Sequence, residues 1–225
     1  MNSPPLLRAR GLARTYAAGE RRPGILRELD LDLYAGEIVA VVGRSGSGKT
    51  TLLNLIGAMD RPDSGTLSFE GEDMTRWDAS ARTAFRRARL GFVFQAFNLL
   101  PTLTVRENIA LPLELNHLPS EARVRELLAD LSIDALADRF PDQISGGEQQ
   151  RTAIARAIAH RPRLIIADEP TGNLDRETGR EVIELFERSV RAAGATLLMA
   201  THSEEMLGHA DRVLELRDGA LRTRA

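Results

Sequence analysis

The order of apolar and polar positions predicts strands that alternate with helices near both ends of the chain. Apolar runs at residues 38–42, within a predicted strand at 37–42, and at 164–167 are typical of short strands buried inside a sheet. A period near two over residues 25–34 predicts a half-buried strand in which Ile25 and Leu29 share one face. This alternation predicts an α/β fold built on a mostly parallel, doubly wound sheet. Further strands are predicted at 66–69, 196–200 and 212–216, and helices at 49–58 and 176–193.

The middle of the chain shows helical spacing and little strand signal. Ser120 is followed by apolar residues at Val124, Leu127, Leu128 and Leu131, the pattern of an amphipathic helix. We expect a single domain over 1–225, with an α/β core at 1–95 and 161–225 and a helical subdomain at 96–160. The prolines expected to break the helical stretch into short pieces are Pro101, Pro112, Pro119 and Pro141.

Composition narrows the class of protein. The chain has 225 residues, of which 43% are hydrophobic and 28% charged, as expected for a folded globular protein. It has no cysteine, which excludes disulfides, thiolate metal sites and a cysteine nucleophile. No apolar stretch reaches the roughly 18 residues of a membrane span, and the first residues do not resemble a secretory leader, so we expect a cytosolic protein. A net charge of −2 argues against nucleic acid as a partner.

The strongest motif surrounds the single lysine of the chain. Of 30 basic residues 29 are arginine, and Lys49 is the exception. It lies in the segment 43–50, Gly-Arg-Ser-Gly-Ser-Gly-Lys-Thr, which matches the phosphate-binding pattern G-x-x-x-x-G-K-[ST] at every fixed position. A predicted strand precedes this segment and a predicted helix follows it, as the pattern requires. The sequence therefore predicts a phosphate-binding loop.

Two adjacent carboxylates follow the apolar run at 164–167. Because neighbouring side chains on a strand point in opposite directions, Asp168 can face a magnesium ion near Thr50 while Glu169 reaches a water beside the terminal phosphate. In isolation such a pair is equally well explained as a helix cap or a solvated turn. The phosphate loop favours the catalytic interpretation.

Residues 145–148, Ser-Gly-Gly-Glu, begin a predicted helix. Serine followed three residues later by glutamate is a capping box, which accounts for Ser145 and Glu148 structurally. It leaves Gly146 and Gly147 unexplained, and two glycines at a helix N-terminus allow an anion to approach the backbone N–H groups. This predicts a second phosphate site, which would serve a nucleotide held by another copy of the chain.

Together these motifs resemble the ATP-binding subunits of ATP-binding-cassette (ABC) transporters over essentially the whole chain. Segment 43–50 resembles the Walker A loop, 164–169 the Walker B strand and 144–148 the signature sequence. Gln95 resembles the Q-loop glutamine, and the segment 172–175, Gly-Asn-Leu-Asp, resembles the D-loop. His202 is similar to the switch histidine and Tyr16 to the aromatic residue that stacks on adenine, with Tyr34 as the alternative.

The resemblance implies a P-loop NTPase with an N-terminal antiparallel β part and a helical insertion, which binds ATP and Mg²⁺. It implies catalytic roles for Glu169, His202, Lys49 and Gln95, and magnesium ligation by Thr50, Gln95 and Asp168. The implied ATP-binding positions are Tyr16, Gly43, Arg44, Ser45, Gly46, Ser47, Gly48, Lys49, Thr50, Thr51, Ser145, Gly146, Gly147, Glu148 and Asp175.

Two motifs depart from the common family pattern. Glu148 stands where the family more often has glutamine, and the D-loop has Gly172 and Asn173 where Ser and Ala are commoner. Both variants, together with residues 95–104, are similar to the subgroup of lipoprotein-release, macrolide-export and cell-division ATPases. The resemblance implies hydrolysis at two sites of a head-to-tail dimer, whose closure on ATP drives an integral membrane permease on a separate chain. We expect the protein on the inner face of the cell membrane.

Other classes fit the sequence less well. A GTPase would carry an Asn-Lys-x-Asp element, which is impossible in a chain whose one lysine is Lys49. A nucleotide kinase would leave residues 145–148 and His202 without a role, and a chromosome-type ATPase needs a long coiled-coil insertion. A cell-division-type ATPase that regulates a membrane partner without transport stays open, because it would share every catalytic residue.

Overall fold

The computed structural model describes residues 4–15 and 24–224. Its strands and helices alternate along the chain, as the sequence pattern predicts. In chain order they are β1 (Leu7–Thr15), β2 (Gly24–Leu33), β3 (Ile38–Val42), α1 (Lys49–Ile56), β4 (Ser64–Phe69), β5 (Glu72–Asp73), α2 (Ala79–Arg89), β6 (Leu90–Phe94), α3 (Val105–Leu115), α4 (Glu121–Asp130), α5 (Gly146–Ile158), β7 (Leu164–Asp168), α6 (Arg176–Ala192), β8 (Thr196–Ala200), α7 (Glu204–Leu207), β9 (Arg212–Arg217) and β10 (Ala220–Thr223).

The chain forms two compact units. The first comprises Met1–Arg86 and Thr196–Ala225, and the second comprises Arg87–Ala195. The division into an α/β core at 1–95 and 161–225 and a helical subdomain at 96–160 stays a prediction. In the residues that the structure describes, no helix combines the length and apolar character that a bilayer crossing requires.

The first unit contains antiparallel and parallel strands. Strands β2, β1, β4 and β5 form an antiparallel sheet in that order. Strand β3 pairs in parallel with β8 on one side and with β9 on the other, and β10 extends β9 in antiparallel fashion. All five residues of β3 and all five of β8 are buried, which explains the unbroken apolar sequence of β3 and the apolar run at 197–200 in β8.

Strand β2 differs from the predicted alternation. Leu29 is buried as predicted, but Leu26 is buried as well, whereas Ile25 is only half-buried. Glu28, between them, has a φ of 48°, and the pairing with β1 shifts register on either side of Leu12. An irregular residue of this kind inverts which side chains face the core, so a regular period of two does not hold across it.

The second unit combines two parallel strands with helices. Strand β6 pairs in parallel with β7, and the apolar faces of α5 and α6 are buried as the helical spacing predicts. Pro112, one of the four prolines expected to break the helical stretch into short pieces, instead lies inside α3. Proline removes one backbone donor from that helix, and α3 continues for three further residues before it ends.

Candidate functional site

The predicted phosphate loop connects the buried strand β3 to helix α1. Helix α1 begins at Lys49, and its N-cap Gly48 has a φ of 105° and makes no side-chain capping bond. A Cβ at Gly48 would lie 2.7 Å from Ile25 Cγ2, so a larger residue would be strained both by this contact and by the positive φ. The first turn of α1 also lacks an acidic residue. Its backbone N–H groups are therefore presented to an anion without a competing side chain.

Lys49 is buried at the start of α1, with 8% of its surface exposed. Its Nζ donates to the Gly43 carbonyl at 2.9 Å and lies 3.0 Å from His202 Nε2. Because an ammonium group can only donate, His202 Nε2 is the acceptor in this contact. The structure thus brings together two of the predicted catalytic residues within the first unit.

The rest of the loop fits a phosphate group. Ser47 Oγ is buried without a hydrogen-bond partner among the described residues, and a phosphate oxygen would satisfy it. A Cβ at Gly43 would lie 2.6 Å from the Leu216 carbonyl, so the loop requires glycine there too. Arg44, Ser45, Gly46 and Thr50 are exposed along the same loop, and Thr51 is buried in α1. Tyr16 lies outside the described residues.

In the second unit, strand β7 ends at Asp168. Glu169 follows it with a φ of 47°, in the left-handed region. The alternation of side chains along a strand therefore does not extend to Glu169, and its direction is set by this backbone turn. Gln150, which is fully buried in α5, donates through Nε2 to the Pro170 carbonyl. Helix α5 is thereby tied to the segment that carries Glu169.

Gln95 directly follows strand β6 and pairs with Asn173 in the D-loop segment. Gln95 Nε2 donates to Asn173 Oδ1 at 3.0 Å, and Asn173 Nδ2 donates to the Gln95 carbonyl at 3.0 Å. A Cβ at Gly172 would lie 2.9 Å from Gln95 Nε2. Sequence reasoning missed this pair, because it treated Asn173 only as a departure from the family pattern.

The helix that begins after Ser145 has the predicted capping box. Ser145 Oγ and its backbone N–H both donate to Glu148 Oε2, at 2.8 and 2.7 Å. A Cβ at Gly147 would lie 2.6 Å from Thr178 Cγ2, whereas one at Gly146 would make ordinary contacts. Close packing against α6 therefore explains why residue 147 is a glycine, which the sequence alone did not reveal. The role of residues 145–148 toward a phosphate stays a prediction.

Asp175 caps the N-terminus of helix α6. Its side chain accepts hydrogen bonds from the backbone N–H groups of Glu177 and Thr178, at 3.1 and 3.0 Å. Hydrogen bonds from Thr178, through both side chain and backbone, lower the pKa of the Asp175 carboxyl group. The structure thus gives Asp175 a capping role, and its predicted role toward the nucleotide is untested.

A second residue that sequence reasoning missed is Arg156, near the end of α5. It donates to the carbonyl of Asn98 at 2.7 Å and to that of Phe97 at 3.1 Å. Both loop residues are in the left-handed region, with φ of 51° and 59°. Burial lowers the pKa of the Arg156 guanidinium, which has no carboxylate partner among the described residues. Arg156 therefore stabilises the strained turn that follows Gln95.

The predicted magnesium ligands are chemically suited to that ion. Thr50 offers a hydroxyl oxygen, Gln95 an amide oxygen and Asp168 a carboxylate. Mg²⁺ prefers oxygen ligands and is commonly held by a few protein groups together with substrate phosphates. This donor set fits the ion.

The strand, the glycine loop and the buried lysine define a phosphate-binding loop of the P-loop NTPase class. Residues 26–172 match the family model described as ABC transporter. The chain belongs to the ABC transporter family, in which it is an ATP-hydrolysing, ATP-binding subunit.

Sequence relatives agree with this family. An uncharacterised ABC transporter ATP-binding protein of Mycobacterium tuberculosis is 47% identical, with 98% of this chain and 90% of the relative covered. The lipoprotein-releasing system ATP-binding protein LolD 2 of Caulobacter vibrioides is 45% identical, with 97% of each chain covered. The macrolide export ATP-binding/permease protein MacB of Azoarcus sp. is 44% identical, with 96% of this chain and 33% of the relative covered.

A solved structure agrees as well. The ATP-binding cassette MJ0796, a dimer bound to ADP and Pi in a post-hydrolysis state, superposes with a TM-score of 0.88. It is 36% identical, with 97% of each chain covered. The predicted family, fold class and ATPase activity are confirmed.

Proposed function

We propose that this chain energises a separate integral membrane permease for lipoprotein release or macrolide-type export. The observation that carries the proposal is the buried Lys49, hydrogen-bonded at the start of an uncapped helix beside His202. The names of the LolD and MacB relatives support the choice of partner and cargo class.

Binding of ATP begins at the phosphate loop. Lys49 and the N–H groups of the first turn of α1 hold the phosphates, and Ser47 Oγ gains a hydrogen-bond partner from them. Thr50, Gln95 and Asp168 would hold Mg²⁺, which would neutralise charge on the phosphate oxygens when bound. His202 contacts the terminal phosphate.

Hydrolysis requires a base for the attacking water, and Glu169 takes this role. Glu169 accepts a proton as the water oxygen bonds to the γ-phosphorus, and the bond from that phosphorus to the β–γ bridging oxygen breaks. The bridging oxygen keeps the bonding electron pair and leaves as part of ADP. The products are ADP and inorganic phosphate.

Replacing Glu169 tests this mechanism. Glu169→Gln should slow ATP hydrolysis about 10²- to 10⁴-fold, because the amide cannot accept the proton, while ATP binding persists. Phosphate release and binding of a fluorescent ATP analogue measure the two effects. Glu184→Gln, at an exposed position of α6, is the matched control and should hydrolyse ATP at the normal rate. Near-normal turnover of Glu169→Gln would reject the base.

The second predicted phosphate site requires a second copy of the chain. In the proposed head-to-tail dimer, Ser145 and Gly147 of one copy bind the terminal phosphate held by the other, so closure depends on ATP. The dimeric state of the cassette MJ0796 supports this arrangement. Closure is the step that transmits force to the permease.

An apolar groove in the second unit supports docking of a permease helix. The groove has a volume of about 330 Å³ and lies beside the turn that Arg156 stabilises. Leu100 and Leu115 on its rim are 42% and 51% exposed. Exposed apolar surface of this kind is typical of an interaction site. Its lining includes Phe92, Phe94, Leu100, Leu111, Pro112 and Leu115.

Capture from membranes tests the partner. The Glu169→Gln protein, loaded with ATP, is used to retrieve proteins from detergent-solubilised membranes, which are identified by mass spectrometry. We expect an integral permease, the partner proposed for a chain that works on the cytoplasmic face of the membrane. Recovery of a cell-division regulator would favour signalling without transport, and recovery of soluble proteins alone would reject the membrane partner while leaving the ATPase intact.

A further inference from the structure

The hydrogen bonds between Gln95 and Asn173 determine which way the Gln95 amide points. The Gln95 backbone carbonyl can only accept, so the Asn173 amide must turn its NH₂ group toward it. This leaves Asn173 Oδ1 facing the Gln95 side chain. That oxygen can only accept, so Gln95 must present Nε2. The hydrogen-bond network therefore assigns the orientation of both amides.

As a result, Gln95 Oε1 points away from Asn173. Among the described residues it accepts no hydrogen bond. Gly172 contributes to this arrangement, because a Cβ there would lie 2.9 Å from Gln95 Nε2 and 3.0 Å from its Cδ. Gly172 leaves room for Gln95 Nε2, and Asn173 accepts a hydrogen bond from it. Gln95 Oε1 is thereby left available to a cation.

We propose that Asn173 is a positioning residue that keeps Gln95 Oε1 available to bind Mg²⁺. The inference rests on the proposed function, in which Gln95 is a magnesium ligand. Alanine, the commoner residue at this D-loop position in the family, has neither the donor nor the acceptor that makes the pair. Here the D-loop departure at 172 and 173 therefore holds the metal ligand in its binding orientation before the metal arrives.

The test separates metal affinity from nucleotide affinity. Binding of mant-ATP is measured by fluorescence in the hydrolysis-defective Glu169→Gln background, once with Mg²⁺ and once with EDTA. The ratio of the two affinities reports what the metal adds. Asn173→Ala should lower this ratio about 3-fold, the worth of a single side-chain hydrogen bond, and leave the affinity in EDTA unchanged.

Two further variants define the mechanism. Gln95→Ala should lower the ratio more than Asn173→Ala does, and adding Asn173→Ala to it should have no further effect, because Asn173 acts through Gln95. Asn116→Ala is the matched control. It also removes side-chain hydrogen bonds to two backbone carbonyls of the second unit, those of Arg87 and Pro112, and should leave the ratio unchanged.

The possible results distinguish the positioning role of Asn173 from the role of Gln95 as a magnesium ligand. An unchanged ratio in Asn173→Ala, or an equal loss of affinity with and without Mg²⁺, would overturn the positioning role while Gln95 remains a ligand. An unchanged ratio in Gln95→Ala would instead remove Gln95 from the metal site, and with it this part of the proposed function. A further loss in the double variant would show that Asn173 acts independently of Gln95.

Discussion

At the scale of single residues, Lys49 shows why one lysine persists in a chain otherwise rich in arginine. Its ammonium group fits between a backbone carbonyl and an imidazole nitrogen at 2.9 and 3.0 Å. A planar guanidinium is wider and directs five donors in a fixed fork, so it would not fit this space. The sequence predicted the position of Lys49, and the structure supplies the reason for the residue type.

Gly48 provides a prediction at the same scale. Gly48→Ala would place a methyl group 2.7 Å from Ile25 Cγ2 at a φ of 105°. We expect a loss of unfolding free energy of about 2–4 kcal/mol, which combines backbone strain with overpacking, and weaker ATP binding. Urea denaturation and nucleotide titration measure the two effects.

Gly71→Ala is the control for backbone strain alone. Gly71 has a φ of 86°, and nothing lies within 4 Å of the position that its methyl group would take. It should cost about 1–2 kcal/mol and leave ATP binding intact. Equal losses in the two variants would mean that the contact with Ile25 is accommodated at no cost.

At the scale of elements, local signals predicted what local interactions determine. The capping box at Ser145, the buried faces of α5 and α6 and the glycine loop before α1 could all be predicted, because each depends on residues within a few positions. The irregularity at Glu28, the packing of Gly147 on Thr178 and the bonds of Arg156 to the 97–98 turn could not. Each depends on contacts between segments distant in sequence, which no periodicity records.

His160, just after α5, leads to a prediction about pH. Its Nε2 lies 3.0 Å from the Leu90 carbonyl, to which it can donate, whereas Nδ1 is buried without a partner among the described residues. Burial lowers the pKa of His160, and the hydrogen bond to Leu90 opposes this effect in part. Protonation at Nδ1 would create a buried, unpaired N–H group.

The direction in which pH changes the stability of the protein follows from proton linkage. Below about pH 6.5 the unfolded chain protonates His160 before the folded chain does, so stability falls as the pH falls from there toward the lower folded pKa. One histidine can change the free energy of unfolding by at most about 1.4 kcal/mol per pH unit. Urea denaturation between about pH 7.5 and 5.5 should show a smaller slope for His160→Gln, which retains a donor for Leu90. His117→Gln, at an exposed histidine, should keep the slope of the parent. Identical slopes for parent and His160→Gln would reject this account.

At the scale of the whole molecule, the proposed dimer makes Ser145 important to assembly. The Glu169→Gln protein should dimerise with ATP and Mg²⁺, and adding Ser145→Arg should abolish the dimer, because the larger side chain blocks the phosphate site formed in trans. Analytical ultracentrifugation measures the mass. A Glu169→Gln protein that stays monomeric at high concentration would undermine the dimer.

Two controls separate blocking from loss of the helix cap. Ser145→Ala removes the hydroxyl that bonds to Glu148 and costs about 1 kcal/mol of stability, but adds no bulk. Ser80→Arg adds the same side chain at an exposed position of α2. In the Glu169→Gln background, Ser80→Arg should dimerise as the parent does, and dimer loss in it would attribute the effect to added charge. Ser145→Ala loses the hydroxyl proposed to bind the phosphate, so it should dimerise more weakly than the parent, but the dimer should not be abolished as in Ser145→Arg.

Because Lys49 is the single lysine, the nucleotide site can also be modified selectively with an amine-reactive reagent. Apart from the terminal amino group, Lys49 carries the one primary amine among the 225 residues, and 8% of its surface is exposed. An amine-reactive reagent is therefore confined to two positions, one of which is the phosphate loop itself. The mass of a single tryptic peptide then records whether a bound nucleotide protects the loop from the reagent, without a substituted residue or a partner protein.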